Sequence, residues 1–263
     1  MGVLDDYDRG EVFSTTQLSI KLSKMISVCM ASYNGAKYIK KQLDSILRQL
    51  GGEDELIISD DGSTDGTLEI IKGYGDDRII LLHHLRPTCN AKHYRVNRYV
   101  TSNFENALMH CKGDYIFIAD QDDIWADNKV QVMMDYAKSH PDKDLFLSSI
   151  CVINEDDSIK KPKVTPHIST FVKGIIVAKY LGSSMMLTRR FLHRVLPFPK
   201  GIVSHDAWIG AMAAFKHRMA IVDKPLLLYR RHDKNVTSKE IYTPLYKKLG
   251  YRLVILFNVL RRR

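Results

Sequence analysis

The sequence predicts an α/β fold built on a mostly parallel sheet. Short apolar β-type runs at 25–31, 55–59, 78–83 and 115–119 recur through the first half, helical spacings stand between them, and acids collect at the ends of the runs. Strands alternating with helices at such intervals pair in parallel through right-handed connections. Ligands of such sheets sit beyond the carboxyl ends of the strands.

Each element has its own signal. Residues 25–31 end in the turn Ser32-Tyr33-Asn34-Gly35, and 36–50 follow with Tyr38, Ile39, Leu43, Ile46, Leu47 and Leu50 on one helical face. Gly51-Gly52 reads as the C-cap of that helix. The strand 55–59 closes in Asp60-Asp61-Gly62-Ser63-Thr64-Asp65-Gly66, a cluster of turn and capping residues, before a helix at 67–72. Residues 86–102 read as a basic loop, 103–111 and 127–139 as helices, and 145–153 as a strand. Pro162 and Pro166 make 154–166 a loop at the edge of the first half. Then come a strand at 182–188, a short helix at 190–196, an apolar helix at 206–215, and closing strands at 219–222 and 226–229.

Composition narrows the function classes. The 263 residues suffice for a sizeable core, and 45% hydrophobic with 26% charged residues excludes disordered and collagen-like chains. A net charge of +9 favours phosphates, nucleic acid or an anionic membrane without choosing among them. Cys29, Cys89, Cys111 and Cys151 stand singly, which argues against a zinc knuckle or disulfide framework and for a reducing compartment. Residues 1–24 form an N-terminal extension without the pattern of an export signal, and no run reaches the ~18 apolar residues of a membrane span. The basic, apolar segment 241–263 is expected to form an amphipathic helix, either lying on anionic lipid or docked on the protein's own core.

The densest signal is Gly113 to Trp125, where a buried-type strand delivers Asp120, Asp122 and Asp123 to its end. Three acids there require water, hydrogen bonds or a cation. Asp120 and Asp122, two apart on an extended chain, point the same way and can converge on a divalent metal; the alternative is a turn in which the acids are caps. Trp125 and Trp208 could stack on a sugar or pack in the core. Gly73-Tyr74-Gly75 lacks the third glycine of a dinucleotide fingerprint, no P-loop is present, and Asp60 to Asp65 lacks EF-hand spacing. Asn235-Val236-Thr237 matches a glycosylation sequon to which no weight attaches.

Five stretches in order carry a family resemblance: residues 25–35, Ser-Asp-Asp-Gly-Ser-Thr-Asp-Gly-Thr at 59–67, Ala-Asp-Gln-Asp-Asp-Ile-Trp at 119–125, 182–188 with Ser-His-Asp-Ala-Trp at 204–208, and 228–237. Together they resemble the signature of inverting family 2 glycosyltransferases, in particular the rhamnosyltransferase-like branch. The resemblance implies a GT-A fold, with 25–240 as the glycosyltransferase domain, divided into a nucleotide-sugar half (25–125) and an acceptor half (126–240). It implies a nucleotide-diphosphate-sugar donor, a glycan or lipid-linked acceptor, and Mn²⁺ or Mg²⁺; nucleic acid is not an expected partner. Work at the inner face of a plasma membrane, as a peripheral cytoplasmic protein building surface polysaccharide, is the setting expected.

Site residues follow from the same resemblance. Ser32 and Tyr33 would lie at the donor, Tyr33 on the base, with Asp61 hydrogen-bonded to that base. Asp120 would lie near the ribose and Asp122 on the metal, with His232 as a second group near metal and diphosphate. Asp206 would be the general base, preceded by His205 where many relatives have Glu. Asp233 and Ser238 depart from glycines common among relatives. A sugar-nucleotide nucleotidyltransferase is the rival enzyme class, but Ser32-Tyr33-Asn34-Gly35 is not its Gly-rich, Arg-containing loop. A non-catalytic nucleotide or glycan binder is the other.

Overall fold

The computed structural model describes residues 24–88, 94–166, 180–233, 235 and 244–262. The extension 1–24, apart from Lys24, and the last two sequon residues lie outside them. Strands β1 (Ile26–Ser32), β2 (Glu55–Asp60), β3 (Ile79–His83), β4 (Tyr115–Asp120), β5 (Ile124–Trp125), β6 (Leu145–Ile153), β7 (Ile159–Val164), β8 (Met185–Thr188) and β9 (Met219–Arg230) join one sheet. The order is β3-β2-β1-β4-β8-β6-β9-β5, with β7 paired to β6. The run β3-β2-β1-β4 is parallel, as expected. Beyond it the sheet is mixed: β8 is antiparallel to both neighbours, β6 and β9 are parallel, and β5 is antiparallel to β9.

Helices cover both faces, which is why the central strands are apolar on alternate and intervening positions alike. Cys29, Ile57, Ile118 and Leu147 point to one layer, formed by α3 (Arg95–His110), α5 (Arg189–Val195), α6 (His205–Phe215) and α7 (Leu245–Arg261). Val28, Met30, Ile58, Phe117 and Phe146 point to the other, formed chiefly by α1 (Ile39–Leu47) and α4 (Lys129–Ser139), with the short α2 (Thr67–Lys72) at its edge.

Several elements differ from the sequence expectation. Helix α1 starts at Ile39, because the Gly35 and Ala36 amides are donated to Thr67 Oγ1 and Asp65 Oδ2 and so belong to a loop. It ends at Leu47, ahead of Gly51-Gly52, where Gln49 turns inward to donate to Ser45 O and Ala126 O. The second half of the supposed basic loop is helix: α3 begins at Arg95, with no Gly or Pro to stop it. The expected loop around Pro162 contains β7, a fully exposed edge strand, the one place a sheet tolerates proline. Residues 182–184 form a single 3-10 turn before β8. The two closing strands are one, β9, with its register against β6 shifting around Asp223 to Pro225.

Candidate active site

The C-terminal ends of β1, β2 and β4 meet at one edge of the sheet, and their loops are bonded to one another. Tyr33 N donates to Gln121 Oε1 at 2.9 Å while Gln121 Nε2 donates back to Tyr33 O at 2.9 Å. A Cβ at Gly35 would meet the Gln121 amide group at 2.3 Å, so a larger residue there would push that side chain off its two bonds to Tyr33. Asn34, in the left-handed region at φ 48, receives the Thr64 amide on Oδ1 and gives its own amide to Ser63 Oγ. Asp60 is fully buried and satisfied by the Gly62 and Ser63 amides and by the Ser32 and Ser63 hydroxyls. The Ser32 side chain is buried and donates to Asp60 Oδ2 at 2.7 Å, so it braces the loop beneath the expected donor site. Burial works against the charge of Asp65, but the Thr67 hydroxyl and the Ala36 and Thr67 amides outweigh it and hold the carboxyl below its usual range.

Asp61 is buried between an imidazole and a guanidinium. Its Oδ1 lies 2.8 Å from His84 Nδ1 and its Oδ2 accepts from Arg86 Nε at 2.6 Å. Nε2 of His84 faces Ser102 Oγ on α3 at 2.9 Å. The Arg86 guanidinium stands 4.1 Å from the centroid of the half-exposed Tyr33 ring and 5.2 Å from that of Tyr99. Tyr33, Asp61 and Arg86 thus make a flat, partly open platform with a carboxylate at its base.

At the end of β4 the acids separate by environment. Burial, then the negative charges of Asp122 and Asp206, push the Asp120 carboxyl up to about 7. Oδ2 of Asp122 lies 2.8 Å from His232 Nε2 and accepts from Asn235 Nδ2 at 3.1 Å. His232 is held by stacking on Tyr38, with ring centroids 4.7 Å apart, and by its own amide donating to Asn235 Oδ1. Asp123 is buried and accepts the Arg230 amide at 2.9 Å. Burial, then Asp122 and Asp120, raise its carboxyl well above the usual range.

Two buried basic side chains lie against this cluster. The Lys129 ammonium donates to Ser183 O at 2.8 Å and lies 4.4 Å from the Trp125 ring centroid. Burial pulls it down to about 7 against the opposing pull of Asp123 and Asp120. Arg230 donates to Asp122 O and Glu155 O and pairs with Asp157, tying the motif to the 154–157 turn. Neither group stood out in the sequence, although a Lys or Arg beside a carboxylate-rich strand end is the signal that could have found them.

Asp206 lies in the first turn of α6, where its Oδ1 accepts the Ala207 amide at 2.7 Å and the Ser204 hydroxyl. The Gly182 turn is the shared neighbour of both acid groups. A Cβ on Gly182 would sit 2.7 Å from His205 Nε2 and 3.7 Å from Asp206 Cβ, while the next residue, Ser183, receives Lys129. His205 is buried, its ring 4.1 Å from that of Phe104, and burial lowers its pKa, so it is a neutral wedge behind Asp206. Trp125 and Trp208 are both buried and belong to the core, Trp208 donating to Val195 O.

A divalent cation fits this donor set in one way. Among the described residues no group of three His, Cys, Asp or Glu side chains is gathered for a metal. Asp122 and His232 present two donor atoms side by side, and hard cations of this size commonly take one or two protein ligands and complete the shell with phosphate oxygens and water.

Residues 27–217 match the model of glycosyl transferase family 2. The chain belongs to that family. It is 26% identical over 238 residues to dTDP-rhamnosyl transferase RfbG of Shigella flexneri, which covers 84% of this chain and 78% of that protein. It is 30% identical over 234 residues to an uncharacterised glycosyltransferase of Methanocaldococcus jannaschii, 85% of this chain and 75% of the other. Uncharacterised proteins of Mycobacterium bovis and Mycobacterium tuberculosis are 28% identical over 217 residues, and the match spans 60% of their length. Among solved structures, S. aureus TarS in complex with UDP-GlcNAc superposes with a TM-score of 0.66 at 19% identity, over 89% of this chain and 67% of that one. Glucosyl-3-phosphoglycerate synthase of M. tuberculosis, in complex with Mn²⁺, UDP and glucosyl-3-phosphoglycerate, gives 0.56 at 18% identity, over 92% and 81%. The fold is the GT-A fold.

Proposed function

We propose that the protein transfers a sugar from a nucleotide-diphosphate donor to a hydroxyl of a glycan acceptor with inversion at the anomeric carbon. The observation that carries this reading is that Asp120 and Asp206 flank one turn: a Cβ on Gly182 would lie 3.7 Å from Asp206 Cβ, while Asp120 lies against the adjacent Ser183 and feels the charge of Asp206. Family membership and the nucleotide-bound neighbours support the same donor class.

In this reading Tyr33 carries the base and Asp61, oriented by His84 and Arg86, accepts its N–H. Asp120 lies toward the ribose. Asp122 and His232 would hold Mg²⁺ or Mn²⁺, which offsets negative charge on the departing diphosphate. Asp206 takes the proton of the acceptor hydroxyl as its oxygen attacks the anomeric carbon from the face opposite the diphosphate. The carbon–oxygen bond to the diphosphate breaks, and its electron pair leaves with the phosphate oxygen. Ser204 and the Ala207 amide, both bonded to one oxygen of Asp206, leave the other free to point at the acceptor. The setting we infer is lipid-linked surface polysaccharide at the cytoplasmic face of a membrane. Among the described residues no helix is long and apolar enough to cross one.

The test is to incubate the protein and Mn²⁺ or Mg²⁺ with a panel of UDP-, dTDP- and GDP-sugars and lipid-linked or soluble glycan acceptors. Acceptor-dependent release of nucleoside diphosphate from one donor class is expected. Release that is the same without acceptor, or with Asp206→Asn, would overturn the assignment.

A further inference from the structure

Helix α7 has two apolar faces, and the fold uses one. Ile255 and Val259 are buried in the core, Tyr251 packs beside them, and Arg262 closes the end of the helix on Val195 O at 2.8 Å. On the opposite side, at i, i+3, i+7, i+11 and i+14, Tyr246, Leu249, Leu253, Phe257 and Leu260 are exposed, Leu253 and Phe257 each at 64%. Leu253 and Phe257 also line an open groove of about 820 Å³ against Pro199 and Lys200, rimmed by Arg261. Residues 241–263 contain six Lys or Arg and no Asp or Glu. An apolar stripe fringed only by cations complements an anionic lipid surface, where apolar burial and attraction to headgroups add. A protein partner would not require that every charge on the segment itself be positive.

The inner face of α7 touches the loop that carries the proposed base. Tyr251 OH donates to Ser204 O at 3.3 Å, and Ser204 Oγ donates to Asp206. A Cβ on Gly201 would lie 3.5 Å from Val254 Cγ1, so the 201–206 segment leans on the helix. We propose that α7 is a membrane bracket: its outer face seats on an anionic leaflet while its inner face fixes the Asp206 loop at a set height above that leaflet. That height is on the order of one to two helix diameters, ~10–20 Å. Resting on the transferase reading, this names the acceptor class as one whose reactive hydroxyl lies within the first few sugars of a lipid-linked chain.

The test uses the full chain and the double variant Leu253→Ser/Phe257→Ser, whose side chains are exposed and whose melting temperature should match wild type. Sedimentation with vesicles of phosphatidylglycerol and phosphatidylcholine should show binding at least tenfold weaker for the variant, and wild type should bind pure phosphatidylcholine far less. On a vesicle-borne acceptor the variant should show a raised KM with kcat retained, and on a water-soluble acceptor no change. Equal binding of wild type and variant, equal binding to both lipids, or a variant that is a monomer where wild type is a dimer with vesicle binding unaltered would overturn the bracket. A KM raised equally on soluble and vesicle-borne acceptors would overturn the link between leaflet and Asp206 loop. Vesicle binding needs no donor, so a protein that binds lipid yet releases no diphosphate would refute the transferase reading alone.

Discussion

Across 110 residues of chain, Asp122 Oδ2 and His232 Nε2 meet at 2.8 Å. The pair is built from two strand ends, because β5 lies antiparallel to β9 through Ile124 with Leu228 and Trp125 with Leu227. Tyr38 from α1 and Asn235 then fix the imidazole. The ring is thus oriented before any ligand arrives, as the metal role proposed for it would require.

His232→Gln should raise the Mn²⁺ concentration for half-maximal transfer by roughly 10- to 100-fold, the range for disturbing an oriented ligand set. Asp122→Asn should abolish transfer at any metal concentration tested. Titrating activity against Mn²⁺ checks both, and an unchanged midpoint for His232→Gln would remove that residue from the metal.

Asp206→Asn retains the helix-start geometry but cannot take a proton. Transfer should fall by about 10²- to 10⁴-fold, the usual contribution of a positioned general base, while donor binding by calorimetry stays within a factor of two or so.

Arg86→Ala removes the cation from both the Tyr33 face and Asp61. A stacked cation is worth ~1 kcal/mol and a charged hydrogen bond ~1.5–3 kcal/mol, so donor affinity should drop at least tenfold. kcat at saturating donor should change little. A loss confined to kcat would place Arg86 at the reacting atoms instead.

Asp144 is buried between Arg190, Arg218 and the Thr188 hydroxyl. Burial opposes its charge, yet those bonds outweigh burial and hold its pKa below the usual value. A depressed folded pKa gives a contribution that is complete above the unfolded value of about 4 and is lost as pH falls through the folded one. Stability should therefore decline below about pH 4. Asp144→Asn should cost about 3–5 kcal/mol at neutral pH and flatten that acid limb, as measured by denaturant melts across pH.

Deleting residues 249–263 looks from the sequence like a clean way to free the protein from membranes. The structure changes that expectation: the deletion would strip Tyr251, Ile255 and Val259 from the core as well as the exposed stripe. Point changes at Leu253 and Phe257 separate the two faces.

How far the sequence carries can be seen at particular residues. It determined strands at 25–31, 55–59 and 115–119, whose observed ends lie one residue further on at Ser32, Asp60 and Asp120, together with the turn chemistry of 60–66 and the delivery of acids to one sheet edge, because alternation and turn preference act within a few residues. It also ordered the five family motifs, from which Asp61, Asp122, Asp206 and His232 could be singled out. Only the tertiary structure decided that Arg86 and His84 grip Asp61, that Lys129 and Arg230 are buried beneath the acids, and that Ser32 is bonded to Asp60. Those outcomes depend on which strands become neighbours and on how buried charges find partners across the chain, and Asp123 met Arg230 across 107 residues. Helix α7 shows the same division: its periodicity gives apolar residues on two sides, and only packing of Tyr251, Val254, Ile255 and Val259 against the core cluster chose which side faces inward.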